Sequence, residues 1–299
     1  VVIVMMFVFV VMFLIVFSIY WLTSMSPDME TIKVTVAVLA INSVLVVVCY
    51  PFIFIFEKVF SQLSYAHLWI LTDTNNKLLS RLAHLAPGTF QHSMQVANMA
   101  EAAVREIGGN SMLARVGGLY HDIGKIDNPQ CFVENQLPGA DDDFHKKLSP
   151  DESAREIIRH VEDGIALAGK NSLPDIVTDF IRTHHGSTLT GYFYSKYCNA
   201  GGDASNKAPF MYSSGLPRTR EHVVLMLADS IEASSRTLKS YSPDNISALV
   251  DGIFDERLKG RQFDESDISM KEIGALRNFF KTYLQQVYHA RISYPKRRK

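Results

Sequence analysis

The chain has 299 residues, 47% of them apolar and 20% charged, with 11 Pro and 17 Gly. That composition excludes a disordered, collagen-like or low-complexity polymer and supplies enough apolar material for a sizeable core. Thirty Lys and Arg against 31 Asp and Glu leave a net charge of −1, without the basic excess that duplex nucleic acid demands of a partner.

Residues 1–22 and 34–56 carry no charged side chain. At about 1.5 Å rise per residue each is long enough, as a helix of roughly 33 Å, to cross the hydrocarbon core of a bilayer. The connector between them holds only Asp28, Glu30 and Lys33, so the pattern predicts a transmembrane hairpin over residues 1–56. A cleaved signal peptide would need a basic start and a small-residue cleavage site, and a buried core pair would carry more polar residues. Pro51 and Asn42 fit a span if they face neighbouring helices. The chain opens without Met inside an apolar run, so a longer parent protein is expected. Removing 1–56 leaves 29 basic and 29 acidic residues, an ordinary neutral module. Lys58, Lys77, Arg81 and the tail Lys296-Arg297-Arg298-Lys299 outweigh the single basic residue of the connector, which puts that module on the cytoplasmic side. Cys49, Cys131 and Cys198 form neither an even set nor a CxxC pair, as expected of a reducing compartment without a thiolate zinc site.

Residues 57–84 mix Leu63, Leu68, Leu71, Leu78 and Leu82 with polar positions and read as a connecting amphipathic helix. From 85 to 299 the reading is all-α. Thr89 can cap a helix bearing Ala97, Ala100, Val104 and Ile107 that stops at Gly108-Gly109. Ser111 can cap the next, which runs toward Tyr120. Ser149-Pro150-Asp151-Glu152 is a capping box with Pro at the first helical position, opening a helix through Ile157, Val161 and Ile165. Pro174 opens another that carries Val177, Ile181 and His184 and ends before Gly186. Thr219 precedes one with Val223, Leu227 and Ile231, and Ser242-Pro243 starts one with Ile246, Val250 and Phe254. A last helix runs from about Ile268 to Ala290. The connections 126–148 and 187–218 are long enough to suggest function.

The chemistry concentrates in five His and two Asp: His92, His121, Asp122, His160, His184, His185 and Asp229. Singly, a His is more often a hydrogen-bonded core or surface residue, and an Asp in an apolar helix is more often a cap or ion-pair partner. Together they are imidazoles and carboxylates on otherwise apolar helices, a donor set suited to divalent first-row metals. Seven ligands exceed what one open catalytic ion uses but fit two ions sharing a carboxylate. Metal coordination would offset the desolvation of those polar groups.

The order His92, His121-Asp122, His160, His184-His185, Asp229 resembles the HD superfamily of metal-dependent phosphohydrolases in its two-metal form. LAPGTFQHS (85–93), GGLYHDIGKI (117–126), ENQ (134–136), HHGS (184–187), FMYSSGLPRTRE (210–221), LMLADSIEASSRTL (225–238) and GRQFDESDIS (260–269) resemble, more specifically, the cytoplasmic domain of the seven-transmembrane HD hydrolases, which cleave cyclic di-AMP in bacteria. The likeness runs from about residue 34 to about 290. It implies an HD-domain bundle over 85–299 behind two spans, in an integral protein of the bacterial cell membrane, with the bilayer as a partner and a homo-oligomer allowed. It implies one metal on His92, His121, Asp122 and Asp229 and another on Asp122, His160, His184 and His185, manganese or iron, with Asp122 bridging. Water activated between the ions would open the cyclic dinucleotide to linear pApA. Lys125 would act beside Asp122 as a phosphate contact, although a helix-end charge is an equally simple reading. Arg218 and Arg220 are candidates for neutralising phosphate, and Tyr192, Phe193, Tyr194 and Tyr212 for stacking on adenine, although loop packing is the commoner use of such rings. After His185 the chain reads GSTLTGYFY rather than the GYP of the cyclic-di-GMP branch. The extracellular part and five further spans of that family have no counterpart in this sequence. The competing readings are an HD hydrolase of a nucleotide or cyclic di-GMP, a nucleotide receptor that does not cut, and a purely structural helical domain.

Overall fold

The computed structural model of the chain describes residues 2–23, 28–60, 63–136 and 144–288. The basic tail 296–299 lies outside the described residues. Two compact units appear, Val1–Ser64 and Tyr65–Lys299. The first is a pair of helices, α1 (Val2–Thr23) and α2 (Met29–Phe60), the second opened by Asp28, whose carboxylate accepts from the Thr31 amide at 3.1 Å. Among the described residues no helix is long and apolar enough to cross a membrane. The side chains of 2–9 and 53–60, on which much of the hydropathy argument rests, are outside the described set.

The second unit is helical, and its described residues contain no strand; a single isolated bridge pairs Leu189 with Met211. In chain order it comprises α3 (Tyr65–Leu71), α4 (Lys77–Leu85), α5 (Pro87–Glu106), α6 (Ser111–Tyr120), α7 (Pro150–Ile158), α8 (His160–Lys170), α9 (Asp175–Thr183), α10 (Gly191–Asn199), α11 (Arg220–Ser235), α12 (Pro243–Lys259) and α13 (Met270–Val287). Both capping boxes, at Ser149/Glu152 and Ser269/Glu272, are formed, and Thr219 and Ser242 cap α11 and α12. Helix α11 is the centre of the core: Val223, Val224, Leu225, Leu227, Ala228 and Ile231 are all fully buried. It packs on α5, whose Val96, Ala97, Ala100 and Val104 are also fully buried. At about 1.5–3 kcal/mol for each large apolar side chain removed from water, this three-way packing with α6 is what holds the site's supports in register.

Several local expectations are corrected. Helix α5 begins at Pro87, so Thr89 is inside its first turn; the cap comes from far along the chain, where the Asn135 side-chain oxygen accepts from the Thr89 amide at 3.1 Å. Asn110, not Ser111, caps α6. The helix expected to run on from Pro150 breaks at Arg159, because the Ile157 carbonyl is taken by the ring Nδ1 of His160 at 2.6 Å, and His160 therefore opens α8. The connection 187–218 contains α10, and the last helix ends at Val287. Residues 57–84, expected as one connecting helix, are divided among the end of α2, α3 and α4, with Leu68, Leu71, Leu78, Leu79 and Leu82 buried in the second unit.

Candidate metal centre

Each candidate ligand is carried by a different device of the backbone. His121 caps the C-terminus of α6, and Asp122 follows it into the short 3-10 turn Ile123–Ile126. That turn can press against the start of α8 only because residue 124 is Gly: a Cβ there would lie 1.8 Å from the His160 carbonyl oxygen. His184 caps α9, and Gly186, at φ +56°, turns the chain directly after His185. The Gln262 side chain fastens that turn by accepting from the Ser187 amide at 2.9 Å. His92 comes from the second turn of α5 and Asp229 from the middle of α11.

All seven side chains meet. His92 Nε2 is 2.9 Å from Asp229 Oδ1 and 3.7 Å from Asp122 Oδ2. His121 Nε2 is 3.3 Å from Asp122 Oδ2 and 3.7 Å from Asp229 Oδ1. On the other side of the same carboxylate, Asp122 Oδ1 is 3.4 Å from His160 Nε2 and 3.7 Å from His184 Nε2. His185 Nδ1 is 3.9 Å from Asp229 Oδ2, and its ring lies 4.0 Å from that of His184. Asp122 thus offers one oxygen to His92 and His121 and the other to His160 and His184. Ligand atoms of His92, His121 and Asp229, of His121, Asp122 and His184, and of His160, His184 and His185 form three groups, each within 4.8 Å.

The imidazoles are aimed by their other nitrogens. Nδ1 of His121, His160 and His184 donate to the carbonyls of Gly118, Ile157 and Ile181 at 2.9, 2.6 and 2.8 Å. Each Nε2 is thereby left facing the cluster. His92 Nδ1 instead meets the carboxylate of Glu232, which is 1% exposed. Yet Nε2 of His121 and Oδ1 of Asp122, in residues 0% and 2% exposed, have no hydrogen-bond partner. Buried polar atoms left this way are costly unless a cation completes them, and here the orphaned atoms are a metal's preferred donors.

Electrostatics agree with a cluster that favours a cation. Burial opposes ionising Asp122, but Lys125 and His121 outweigh it and hold its carboxyl well below the usual range; Asp229 is held down against burial by His121 and His92. Burial pushes His160 down, pushes His184 down to about 3, and with His184 beside it pushes His185 down as well. Burial also opposes a charge on His121, but Asp122 and Asp229 raise it to about 10; against burial, Asp229 and Glu232 hold His92 above its ordinary value. Three neutral imidazoles, two ionised carboxylates and two imidazoles holding protons that a cation would displace are a donor set that could hold a cation.

A cavity of about 470 Å³ opens on the cluster. Lys125 stands at its wall with Nζ 2.8 Å from Asp122 Oδ2 and 2.9 Å from Glu134 Oε1. Tyr212, 6% exposed, stacks on His185 at 4.1 Å between ring centres and faces the same space. Tyr192 and Phe193 line a neighbouring cavity of about 500 Å³ instead, and Tyr194 donates to the Ala204 carbonyl. Arg218 and Arg220 are not on the wall of the first cavity; Arg220 is held at the start of α11 by Glu272 at 2.9 Å and Asp267 at 3.4 Å. Sequence reasoning assigned no role to Glu134, Glu232 or Arg236. The signal for two of them was there: Asp229, Glu232 and Arg236 are spaced i, i+3 and i+7, one stripe that follows the apolar run 223–228 of α11.

A family profile described as HD domain matches residues 89–234. The chain is 40% identical over 241 residues to a cyclic-di-AMP phosphodiesterase PgpH of Listeria monocytogenes serotype 1/2a (strain 10403S), covering 81% of this chain and 33% of that protein. It is 38% identical over 254 residues to the PgpH of Bacillus subtilis (strain 168), covering 85% of this chain and 35% of that protein. The chain therefore spans about a third of the length of these relatives. A crystal structure of the L. monocytogenes PgpH HD domain in complex with cyclic-di-AMP superposes with a TM-score of 0.69 at 39% identity, covering 73% of this chain and 100% of that one.

Proposed function

Since the chain belongs to the HD-domain family and is homologous to the PgpH cyclic-di-AMP phosphodiesterases, we propose that it hydrolyses cyclic di-AMP to linear pApA at the cluster around Asp122. The observation that carries this is the division of Asp122, one oxygen toward His92 and His121 and one toward His160 and His184. We assign one divalent ion to His92, His121, Asp122 and Asp229 and a second to Asp122, His160, His184 and His185, with manganese or iron as the metal. Two such ions supply a nucleophilic water at neutral pH and a clamp on the attacked phosphoryl oxygens.

The chain's own groups do the remainder. The Nδ1 bonds to Gly118, Ile157 and Ile181 turn the Nε2 atoms of His121, His160 and His184 toward the site. Lys125 holds a positive charge at the cavity wall beside Asp122 and Glu134, placed to meet a phosphoryl oxygen. Tyr212 and His185 present a stacked aromatic surface against which a base can lie. Hydrolysis of one P–O3′ bond consumes one water and leaves a 5′-phosphate and a 3′-hydroxyl.

The uncharged stretches 1–22 and 34–56 support a membrane hairpin, and the basic residues Lys77 and Arg81 support a cytoplasmic position for the Tyr65–Lys299 unit in a seven-transmembrane parent. The test is product analysis by mass spectrometry on the metal-loaded chain, offered cyclic di-AMP, cyclic di-GMP and deoxynucleotides side by side, with anomalous scattering at the manganese and iron edges. Preferential release of pApA is expected. Tight binding of cyclic di-AMP without cleavage would replace the enzyme by a receptor.

A further inference from the structure

We propose that Arg236 forms the site for the second phosphodiester group of the cyclic dinucleotide, the one that is not being cleaved; this rests on the substrate reading above. A cyclic dinucleotide carries two phosphodiester charges. Only one phosphoryl group can lie at the His/Asp cluster. The other enters a cavity whose wall includes the carboxylates of Glu134, Asp229 and Glu232. An uncompensated anion there would be strongly disfavoured.

Apart from imidazoles, the described cations on that wall are Lys125 and Arg236. Lys125 is already engaged: Asp122 at 2.8 Å, Glu134 at 2.9 Å, and the Phe132 ring 4.7 Å from its Nζ. Arg236 is differently placed. Its Nε and Nη2 both rest on one oxygen of Glu232, at 2.7 and 2.5 Å, and its side chain is 38% exposed. Those two bonds leave Nη1 for a ligand, and a guanidinium anchored from behind presents a planar donor edge suited to phosphate. The other Glu232 oxygen meets His92 Nδ1, while His92 Nε2 faces Asp229 at 2.9 Å. One carboxylate, that of Glu232, therefore separates the guanidinium from His92 of the cluster. That spacing lets a compact substrate with two phosphates reach both, and a substrate with a single phosphodiester reach only one.

The alternative is that Arg236 merely holds the Glu232 carboxylate in place and so steadies His92. The two roles differ in what they do to different esters. The experiment uses the full metal-loaded chain with Arg236→Ala, Arg236→Gln and Arg236→Lys. Steady-state kinetics are measured on cyclic di-AMP and on bis(p-nitrophenyl) phosphate, which has one phosphodiester, with metal per chain measured by mass spectrometry. The expected result is a rise in KM for cyclic di-AMP at least tenfold larger than any change for the simple ester, partly recovered in the Lys variant, with metal content kept. Equal losses on both esters, loss of metal, or an unchanged KM for cyclic di-AMP would each overturn the proposal. If wild-type protein cleaves cyclic di-AMP and the variants match it, this inference alone falls. If wild-type protein neither cleaves cyclic di-AMP nor binds its phosphorothioate analogue, the substrate reading falls with it.

Discussion

The ammonium of Lys125 lies 2.8 Å from Oδ2 of Asp122, the same oxygen that faces His121 at 3.3 Å. A lysine on this carboxylate steadies its charge and also projects toward the cavity. Lys125→Met should therefore lower kcat by about 10²–10³, the usual cost of removing one preorganised donor to a developing phosphoryl charge. Lys125→Arg should not restore it, because a planar fork does not fit between Asp122 and Glu134 as a compact ammonium does. Turnover with metal content checked in parallel decides it; a Met variant as fast as wild type would remove Lys125 from the chemistry.

Asp122→Asn tests the shared carboxylate. The amide keeps the shape but converts one oxygen to a donor, so either the His92/His121 side or the His160/His184 side loses its anionic neighbour. Loss of detectable turnover and of bound metal is expected, read by inductively coupled plasma mass spectrometry. An Asn variant with full metal content and normal rate would show that the two sides work independently of Asp122.

Glu232 is a positioning residue for His92. Its carboxylate fixes which ring nitrogen carries the proton. Glu232→Gln should weaken metal binding about 10–100-fold, the range seen when the partner of a ligating histidine is removed. Competition with a chelator of known affinity measures this without reference to activity.

How much of this could be read from the chain alone differs by kind of interaction. Helix ends written in local chemistry, such as Ser149-Pro150-Asp151-Glu152, are formed as the sequence implies. The seven candidate ligands were also legible, since imidazoles and acids on apolar helices stand out. Their supports were not. Glu232 reaches a partner 140 positions away, and Asn135 caps a helix 46 positions earlier, so no local pattern announces either. The break before His160 was hidden because Ile157, Val161 and Ile165 keep helical spacing across it. Arg220, one of two arginines that were candidates for neutralising phosphate, is held by Asp267 and Glu272 from a distant segment.

Gly124 supports the site by its lack of a side chain. A Cβ would stand 1.8 Å from the His160 oxygen and 2.5 Å from the Gly164 amide nitrogen, both backbone atoms. Gly124→Ala must therefore push α8 away, carrying His160 with it, and should cost about 1–3 kcal/mol or more. Gly169→Ala in the same helix meets nothing within 4 Å and should raise stability by about 0.5–1 kcal/mol. Thermal unfolding of the pair should give shifts of opposite sign.

His222 sets a pH dependence away from the cluster. Its ring is packed 4.2 Å from Phe180, its Nε2 is buried without a partner, and burial pushes its pKa down to about 4. In the unfolded chain the same ring titrates near 6.5. Between those values the unfolded state takes up a proton that the folded state refuses, so stability is fully present above pH 6.5 and is lost as pH falls toward 4. At pH 5 the loss from this residue is about 2 kcal/mol relative to pH 7.5. His222→Phe keeps an aromatic ring against Phe180 and removes the titration. Denaturant unfolding of wild type and variant, metal-loaded, should show parallel stabilities above pH 7 and a variant curve that falls less between pH 6.5 and 5. Superimposable pH slopes would mean that His222 is protonated in the folded protein and that another group accounts for its acid sensitivity.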